Sequence, residues 1–314
     1  MHSMRAEGVR PISAELSDAE LGDERLNRRL GRLADRLADR PGESFPKALD
    51  DAELEAAYRF FGNDRVSPEG ILAPHVRQSA RRAAGHAHVL VVHDTTQFEL
   101  SGQAKRPGLG RLIRPGQGFF GHFSLAVSAS GAREPLGLLA METVFRHDQP
   151  VPRKQRRARD NRGESARWRR GIDAAESMLD GRTPAIHVMD READSYAVIA
   201  ALTEHRRLFV IRSFQDRVLA SEDEARLRAT AKAARVTLRR EVPLAPRPHI
   251  KGPKGKRHPA RRSRVARLSL RRPPSSCRAP AGLESPPRCP CSSTSFMYSS
   301  ATRHAGSPRS SGFS

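Results

Sequence analysis

Leucines recur three and four residues apart near the start of the chain, a spacing that places side chains on one face of an α-helix. The leucines of this stripe are Leu26, Leu30, Leu33 and Leu37. We expect Ser17 or Asp18 to cap this helix and Pro41 to end it. The apolar face must be covered, so the helix predicts a small helical core around it.

Two further helices are predicted downstream of this stripe. The first spans residues 50–61, and the second begins at Ser67, with Pro68 in its first turn, because serine is a favoured cap and proline is tolerated at the first helical position. Residues 1–84 are therefore predicted to form a small all-α domain.

The pattern changes after residue 84 to short apolar runs rich in β-branched residues, which are typical of buried strands. These runs lie at residues 88–93, 123–130, 136–144, 185–189 and 208–212. Helical spacing returns at residues 167–179 and 194–205. Strands that first follow one another and then alternate with helices predict an α/β fold over residues 85–230, with a mixed sheet flanked by helices.

The charge of the chain points to a polyanionic partner. The sequence has 56 Lys and Arg against 35 Asp and Glu, a formal net charge of +21, and a pI near 11.3. Residues 231–272 hold 15 of the basic residues and one acid, Glu241, and a second basic run spans residues 153–170. One charge run is often only a solvated face. Two runs on one chain favour contact with the phosphates of double-stranded DNA.

No part of the sequence predicts a membrane or secreted protein. No stretch approaches 18 apolar residues, and the first ten residues lack the apolar run of a secretory signal. Residues 1–276 contain no cysteine, which suits a reducing compartment. We expect a cytoplasmic, nucleoid-associated protein without a membrane partner.

The last 42 residues differ in composition from the rest. Serine and proline make up 19 of residues 273–314, and the segment has one leucine and no isoleucine or valine. Such a composition cannot bury enough apolar surface to offset the entropy of ordering it. A disordered tail is predicted, and the spacing of Cys289 and Cys291 does not suit a zinc site.

Two aspartates each directly follow a predicted strand. Asp94 directly follows the predicted strand 88–93, and Asp190 directly follows 185–189. Polar residues at strand ends line the functional crevice of α/β sheets, and paired carboxylates are ligands for Mg²⁺ or Mn²⁺. The alternative is that each aspartate only caps a turn. The basic character of the chain favours the metal site.

Several motifs, in this order, resemble the DDE transposases of the insertion-sequence IS-four group, which includes transposases like that of Tn-five. They are LGDERLNRRL at 21–30, AAYRFFGN at 56–63, DTT at 94–96, RW at 167–168, DREAD at 190–194 and FVIRS at 209–213. The resemblance covers roughly residues 16–272. It implies a helical domain that binds transposon ends, followed by a ribonuclease-H-like core that cuts DNA and joins it to a target.

The resemblance also implies roles for individual residues. Asp94 and Asp190 correspond to the first two catalytic, metal-binding acids. The residues that correspond to contacts with DNA are Arg25, Arg29, Arg59 and Arg212. The resemblance implies a dimer on DNA, formed through C-terminal helices that we do not expect in this sequence.

The resemblance ends near residue 273. In the family a β-rich insertion follows the second aspartate, and residues 231–272 resemble its basic start. The third acid then comes in a Tyr-Arg-Glu-Lys motif, which the sequence lacks, and Glu284 has no such context.

Codons permitted by residues 306–314, read two bases along, give Glu-Pro-Pro-Val-Glu-Trp-Leu-Leu, which resembles the family's insertion. A frameshift near residue 273 and a truncated, catalytically defective transposase are therefore expected. The alternative is a non-catalytic DNA-binding remnant or an inhibitor of transposition.

Overall fold

A computed structural model describes residues 11–100, 106–112, 116–146, 166–219, 225–251, 257–258, 260–271 and 300–301. The described residues divide into two compact units. The first lies within Met1–Ala193 and Arg207–Arg212, and the second within Asp194–Arg206 and Ser213–Ser314. The predictions for most of the run 153–170 and for nearly all of the tail 273–314, including Glu284 and the cysteines, lie outside the described residues.

The N-terminal part of the first unit is helical, as predicted. Its helices are α1 (Ile12–Glu15), α2 (Glu24–Asp39), α3 (Phe45–Ala48), α4 (Asp51–Phe61) and α5 (Pro68–Ala83). The predicted cap of α5 is present, because the Ser67 hydroxyl accepts a hydrogen bond from the Gly70 N–H. The cap predicted for α2 is wrong. Gly22 turns the chain with φ +74°, and the Asp23 carboxylate accepts from the Arg25 N–H instead.

A compact apolar cluster holds these helices together. Leu30 and Leu33 of the predicted leucine stripe are buried in it beside Phe60 of α4. The helix α5 takes part in two cores, since its N-terminal Ile71 packs against this cluster and its C-terminal Ala83 belongs to the cluster under the sheet. The helical segment and the sheet are thereby joined through one helix.

The sheet of the first unit is mixed, as predicted. Its strands are β1 (Val89–Glu99), β2 (Gly110–Arg111), β3 (Gln117–Ser128), β4 (Pro135–Val144), β5 (Ala185–Met189) and β6 (Leu208–Ile211). The order across the main strands is β4-β3-β1-β5-β6, with β2 also on β3. The first three main strands pair antiparallel, and β5 and β6 continue from β1 in parallel. An antiparallel meander extended by parallel strands makes the fold ribonuclease-H-like.

Strand β1 is longer than the sequence predicted. The expected strand ended before Asp94, but β1 runs to Glu99. The reason is that β3 pairs with it along its whole length, from Val89 opposite Ser128 to Glu99 opposite Gly118. The parallel partner β5 ends earlier, so Asp94 lies at the end of the parallel pairing rather than at the end of the strand.

One face of the sheet is covered by helices. Helix α6 (Ala166–Leu179) buries Ala175 and Leu179 against Val89 and Val91 of β1. Arg82 of α5 ties the helical segment to the sheet, because it donates to the Leu136 carbonyl at 2.6 Å and to the Glu15 carboxylate at 2.7 and 2.8 Å. The Arg82 hydrogen bond lowers the pKa of Glu15, against the opposing effect of burial.

The second unit combines short helices with antiparallel strands. It contains α7 (Tyr196–Glu204), α8 (Leu227–Ala233), β7 (Val236–Leu244), β8 (Ile250–Lys251), β9 (Arg257–His258), β10 (Arg264–Arg271) and β11 (Ser300–Ala301). Strand β10 pairs antiparallel with β7 and with β11. No helix among the residues described has the length and apolar character needed to cross a membrane.

Candidate active site and DNA-binding segment

Three of the residues singled out in the sequence lie side by side at one edge of the sheet. The last residues paired across the parallel strands β1, β5 and β6 are His93, Met189 and Ile211. The residues that come next in the chain are Asp94, which lies within β1, and Asp190 and Arg212, which directly follow the ends of β5 and β6. Neighbouring strands are about 4.8 Å apart, so the backbones of Asp94, Asp190 and Arg212 lie in one row across the sheet.

Both aspartates are exposed and are held through the backbone that follows them. The Asp94 carboxylate accepts from the Thr95 N–H at 2.8 Å, and the Asp190 carboxylate accepts from the Glu192 N–H at 2.7 Å. A 3₁₀ turn (Arg191–Ala193) begins directly after Asp190. Each carboxylate is thus oriented through one oxygen while it faces solvent.

Arg212 completes the row from the strand next to Asp190. Its backbone N–H donates to the Met189 carbonyl at 3.2 Å, and its side chain is exposed. The arrangement places Arg212 directly after the strand that pairs with β5, next to Asp190 in the row.

A chain of buried polar side chains lies on the other face of β1. Side chains alternate along a strand, so His93 lies opposite to Asp94, and it is only 2 % exposed. His93 Nε2 is 2.9 Å from His187 Nδ1, and His93 Nδ1 is 3.0 Å from the Ser124 hydroxyl. His187 Nε2 donates to the Glu176 carboxylate at 2.8 Å. This network fixes β1 and β5 to each other directly beneath the row.

The same network changes the charge that its members can carry. Burial lowers the pKa of His93 to about 2, with a further contribution from His187. The hydrogen bond from His187 lowers the pKa of Glu176, against the opposing effect of burial. His93 is therefore neutral and Glu176 is ionised at neutral pH.

A second polar chain runs from α6 to the residues that follow the two aspartates. The Arg167 Nε donates to the Thr95 hydroxyl at 2.9 Å, and an Nη of Arg167 donates to the Glu192 carboxylate at 3.0 Å. The Thr95 hydroxyl lies 2.9 Å from His122 Nδ1. Burial, and then the charge of Arg167, lowers the pKa of His122 to about 4, so a neutral His122 accepts from Thr95.

The last aspartate of the DREAD motif has a different role from the first. Asp194 belongs to the second unit, where its carboxylate accepts from the N–H groups of Phe214 and Gln215. It also forms a buried ion pair with Arg217. Asp194 therefore stabilises the loop after β6 and is not a member of the row.

The described residues contain no cluster of three or more His, Cys, Asp or Glu side chains suited to a metal ion. The row supplies two carboxylates, and hard oxygen ligands of this kind fit Mg²⁺ or Mn²⁺. Asp94 and Asp190 are thus the residues that could hold such an ion. The donor set offered by the row is one carboxylate short of three.

The arginines predicted to contact DNA in the N-terminal segment are accessible. Arg25 is exposed and Arg29 is half-buried, one turn further along α2, so both lie on one face of that helix. Arg59 of α4 is exposed and pairs with Glu55 at 3.4 Å. Exposed pairs of this kind are worth only about 0–1 kcal/mol, so Arg59 can exchange its partner for a phosphate.

Comparison with known proteins identifies this segment. Residues 12–66 match the family model described as transposase DNA-binding, and this range covers α1 to α4. A chain in the crystal structure of the Mos1 strand transfer complex is also similar, with 15% identity over 59% of this chain and 57% of that chain, at a TM-score of 0.22. Residues 12–66 are thus similar to transposase DNA-binding domains.

Sequence reasoning missed the polar layer beneath the row. The RW motif carried the resemblance at Arg167, but its contact with Thr95 and Glu192 was not predicted. The buried histidines lie within apolar strand segments, where His93 and His187 occupy inward positions of the alternating pattern. That alternation was the available signal.

Proposed function

We propose that the chain is a transposase of the DDE class and the IS-four group, similar to the transposase of Tn-five. Its substrate is double-stranded DNA at the ends of a transposable element. The family activity is metal-dependent DNA cleavage and strand transfer. The observation that carries the proposal is the row of Asp94, Asp190 and Arg212 on a ribonuclease-H-like sheet, in a chain whose residues 12–66 match a transposase DNA-binding model.

Each residue of the row has a role in this proposal. Asp94 and Asp190 hold Mg²⁺ or Mn²⁺ through their exposed carboxylates, and Arg212 binds the DNA backbone beside them. When bound, the ion would stabilise the charge that develops on the phosphate and activate the attacking oxygen. The backbone hydrogen bonds from Thr95 and Glu192 orient the two carboxylates before DNA arrives.

Binding to the transposon end is assigned to the helical segment. Arg25 and Arg29 on α2 and Arg59 on α4 contact the end DNA, and the basic segment 231–272 adds contacts with phosphates. We also propose the boundaries 1–84 for the end-binding domain, 85–230 for the core, 231–272 for the start of the insertion and 273–314 for an out-of-frame tail. The proposed location is the cytoplasm, at the nucleoid.

The 314-residue product is proposed to be catalytically defective. Its sequence has no Tyr-Arg-Glu-Lys motif, and the row offers two carboxylates where the family uses three acids. Each ~1.4 kcal/mol of lost transition-state stabilisation costs about tenfold in rate. Metal stabilisation of developing charge is worth several kcal/mol. Losing a metal ligand should therefore slow the reaction by several factors of ten.

Selection from a random DNA library identifies the preferred site and tests the binding role. We expect the variant Arg25→Gln/Arg29→Gln/Arg59→Gln to lose affinity for the selected site more than for random DNA. For this variant, the slope of log K against log[salt] should become less negative by about 0.9 for each lost phosphate contact. Arg182→Gln is the matched control, since Arg182 is an exposed arginine elsewhere in the first unit. Equal losses on both DNAs would contradict the assignment.

A second candidate function is a non-catalytic DNA-binding remnant or inhibitor, which the incomplete donor set of the row favours. Nicking of the selected DNA with Mn²⁺ discriminates between the two. We expect no excision of a marked transposon by the 314-residue product, and excision by a frame-corrected version that carries the Tyr-Arg-Glu-Lys helix. Excision by the 314-residue product would refute the proposed defect.

A further inference from the structure

A buried arginine connects the two chain segments that follow the aspartates. The Arg167 side chain is only 10% exposed, although a guanidinium costs free energy to remove from water. It contacts Thr95, which directly follows Asp94, and Glu192, which lies two residues after Asp190. One guanidinium thus spans the segments that orient both carboxylates.

The contacts of Arg167 suit a bridging role. Arginine presents its donors in a rigid planar fork, so two contacts made by one guanidinium also set the distance between their acceptors. Thr95 is fixed from its other side by His122, whose ring stands edge-on to Trp168 with centroids 4.8 Å apart. Glu192 supplies the N–H that orients the Asp190 carboxylate. Movement of either strand segment therefore strains the contacts of Arg167.

We propose that Arg167 is a positioning residue that holds the Asp94 and Asp190 carboxylates at the separation required by a divalent cation. The inference rests on the proposed metal-binding function of the row. Arg167 acts through Thr95 and Glu192 and touches neither carboxylate in this role. The cation site then depends on α6 as well as on the strands.

The direction of the change in cation affinity distinguishes a positioning role of Arg167 from an effect of its charge. Removing a positive charge near a cation site strengthens cation binding by electrostatics alone. Loss of a positioning contact weakens it, and substitutions of residues that orient metal ligands typically cost about 10–100-fold in metal affinity. We expect Arg167→Gln to weaken Mn²⁺ binding by about this factor.

The experiment measures Mn²⁺ affinity of the full chain by electron paramagnetic resonance of the free ion. The variants are Asp94→Asn, Arg167→Gln, Glu192→Gln and the double variant of the last two. Arg169→Gln is the matched control, because Arg169 is an exposed arginine two residues further along the same helix. Since Glu192→Gln alters a contact that Arg167→Gln already removes, the double variant should bind Mn²⁺ no more weakly than Arg167→Gln alone.

The outcomes separate this inference from the proposed function. If Asp94→Asn leaves Mn²⁺ affinity unchanged, the metal site itself is wrong, and the role of Arg167 is wrong with it. If Asp94→Asn weakens binding but Arg167→Gln does not, only the positioning role is overturned. Additive losses in the double variant would overturn it too, because Glu192 would then act on the ion without Arg167.

Folding of the variants is checked by far-UV circular dichroism. Should Arg167→Gln lose the wild-type spectrum, Thr95→Val takes its place, since it removes the acceptor of Arg167 with little change of volume. Weakened Mn²⁺ binding by folded Thr95→Val supports the inference. Wild-type affinity in that variant overturns it.

Discussion

Gly171, in the middle of α6, is the residue at which helix propensity and packing disagree most clearly. Alanine stabilises a helix by about 1 kcal/mol relative to glycine. A Cβ at position 171 would lie 2.8 Å from His122 Nε2 and 3.2 Å from the Ser124 hydroxyl. Neither neighbour can move freely, because His122 is hydrogen-bonded to Thr95 and Ser124 is hydrogen-bonded to the Gly171 carbonyl.

We therefore expect Gly171→Ala to destabilise the first unit. Forcing an extra carbon into a packed core costs about 1–3 kcal/mol, which equals or exceeds the gain in propensity. The net loss should be up to about 2 kcal/mol in the free energy of unfolding. The expected direction is opposite to that of an ordinary Gly→Ala change in a helix.

Urea unfolding followed by tryptophan fluorescence measures this loss locally. Trp168 is the only tryptophan of the chain, is buried, and packs edge-on against the His122 ring. Gly31→Ala is the control, since Gly31 lies inside α2 and its nearest neighbour is the Ser13 side chain at 3.2 Å, on the short helix α1. An increase of about 1 kcal/mol on Gly171→Ala, as propensity alone predicts, would refute the packing argument.

Acid should destabilise the sheet, because His93 and His122 are held neutral with pKa values of about 2 and about 4, below the ordinary value of 6.5. Below pH 6.5 the unfolded chain binds more protons than the folded chain. The free energy of unfolding should therefore fall by about 1.4 kcal/mol per pH unit for each histidine as the pH is lowered from 6 to 4.5. A free energy of unfolding that does not change over this range would contradict the burial of the two histidines. Leu33→Ala should cost about 2–5 kcal/mol in the helical segment, measured by hydrogen exchange of α2 and α4, and unchanged exchange would show that Leu33 is not part of its core. Asp194→Ala should destabilise the second unit by about 3–5 kcal/mol, since it leaves the buried Arg217 without its carboxylate. The Asp194 side chain is 2% exposed and the Arg217 side chain 12%. An unchanged unfolding midpoint would contradict that role.

Much of the local structure could be predicted because its causes are local. The Leu26 to Leu37 spacing specifies α2, and the pair Ser67-Pro68 specifies the start of α5. The cap of α2 was missed because Gly22 and Asp23 form a turn whose positive φ is not apparent from the leucine pattern. The extent of β1 was missed because it depends on pairing with β3, a distant segment.

The candidate site was predictable in its residue types but not in its surroundings. Asp94 and Asp190 could be found because each follows an apolar run that marks a strand, whereas Arg212 was assigned from the FVIRS motif that carries the family resemblance. Arg167 could not be assigned a role, since its partners lie 72 and 25 residues away in the chain. Contacts over such separations depend on how helices and strands pack, which periodicity does not encode.

The sequence by itself determined most of the helices and strands of the first unit, which aspartates follow apolar runs, and where the basic residues concentrate. These properties depend on spacing, capping and composition, which act over a few residues. Tertiary structure alone decided that β5 lies beside β1, and so that Asp94 and Asp190 meet in one row. It also decided that His93, His187 and Glu176 form a buried network beneath that row. The physical reason is that strand order and side-chain packing arise from apolar burial and hydrogen-bond satisfaction across the whole unit.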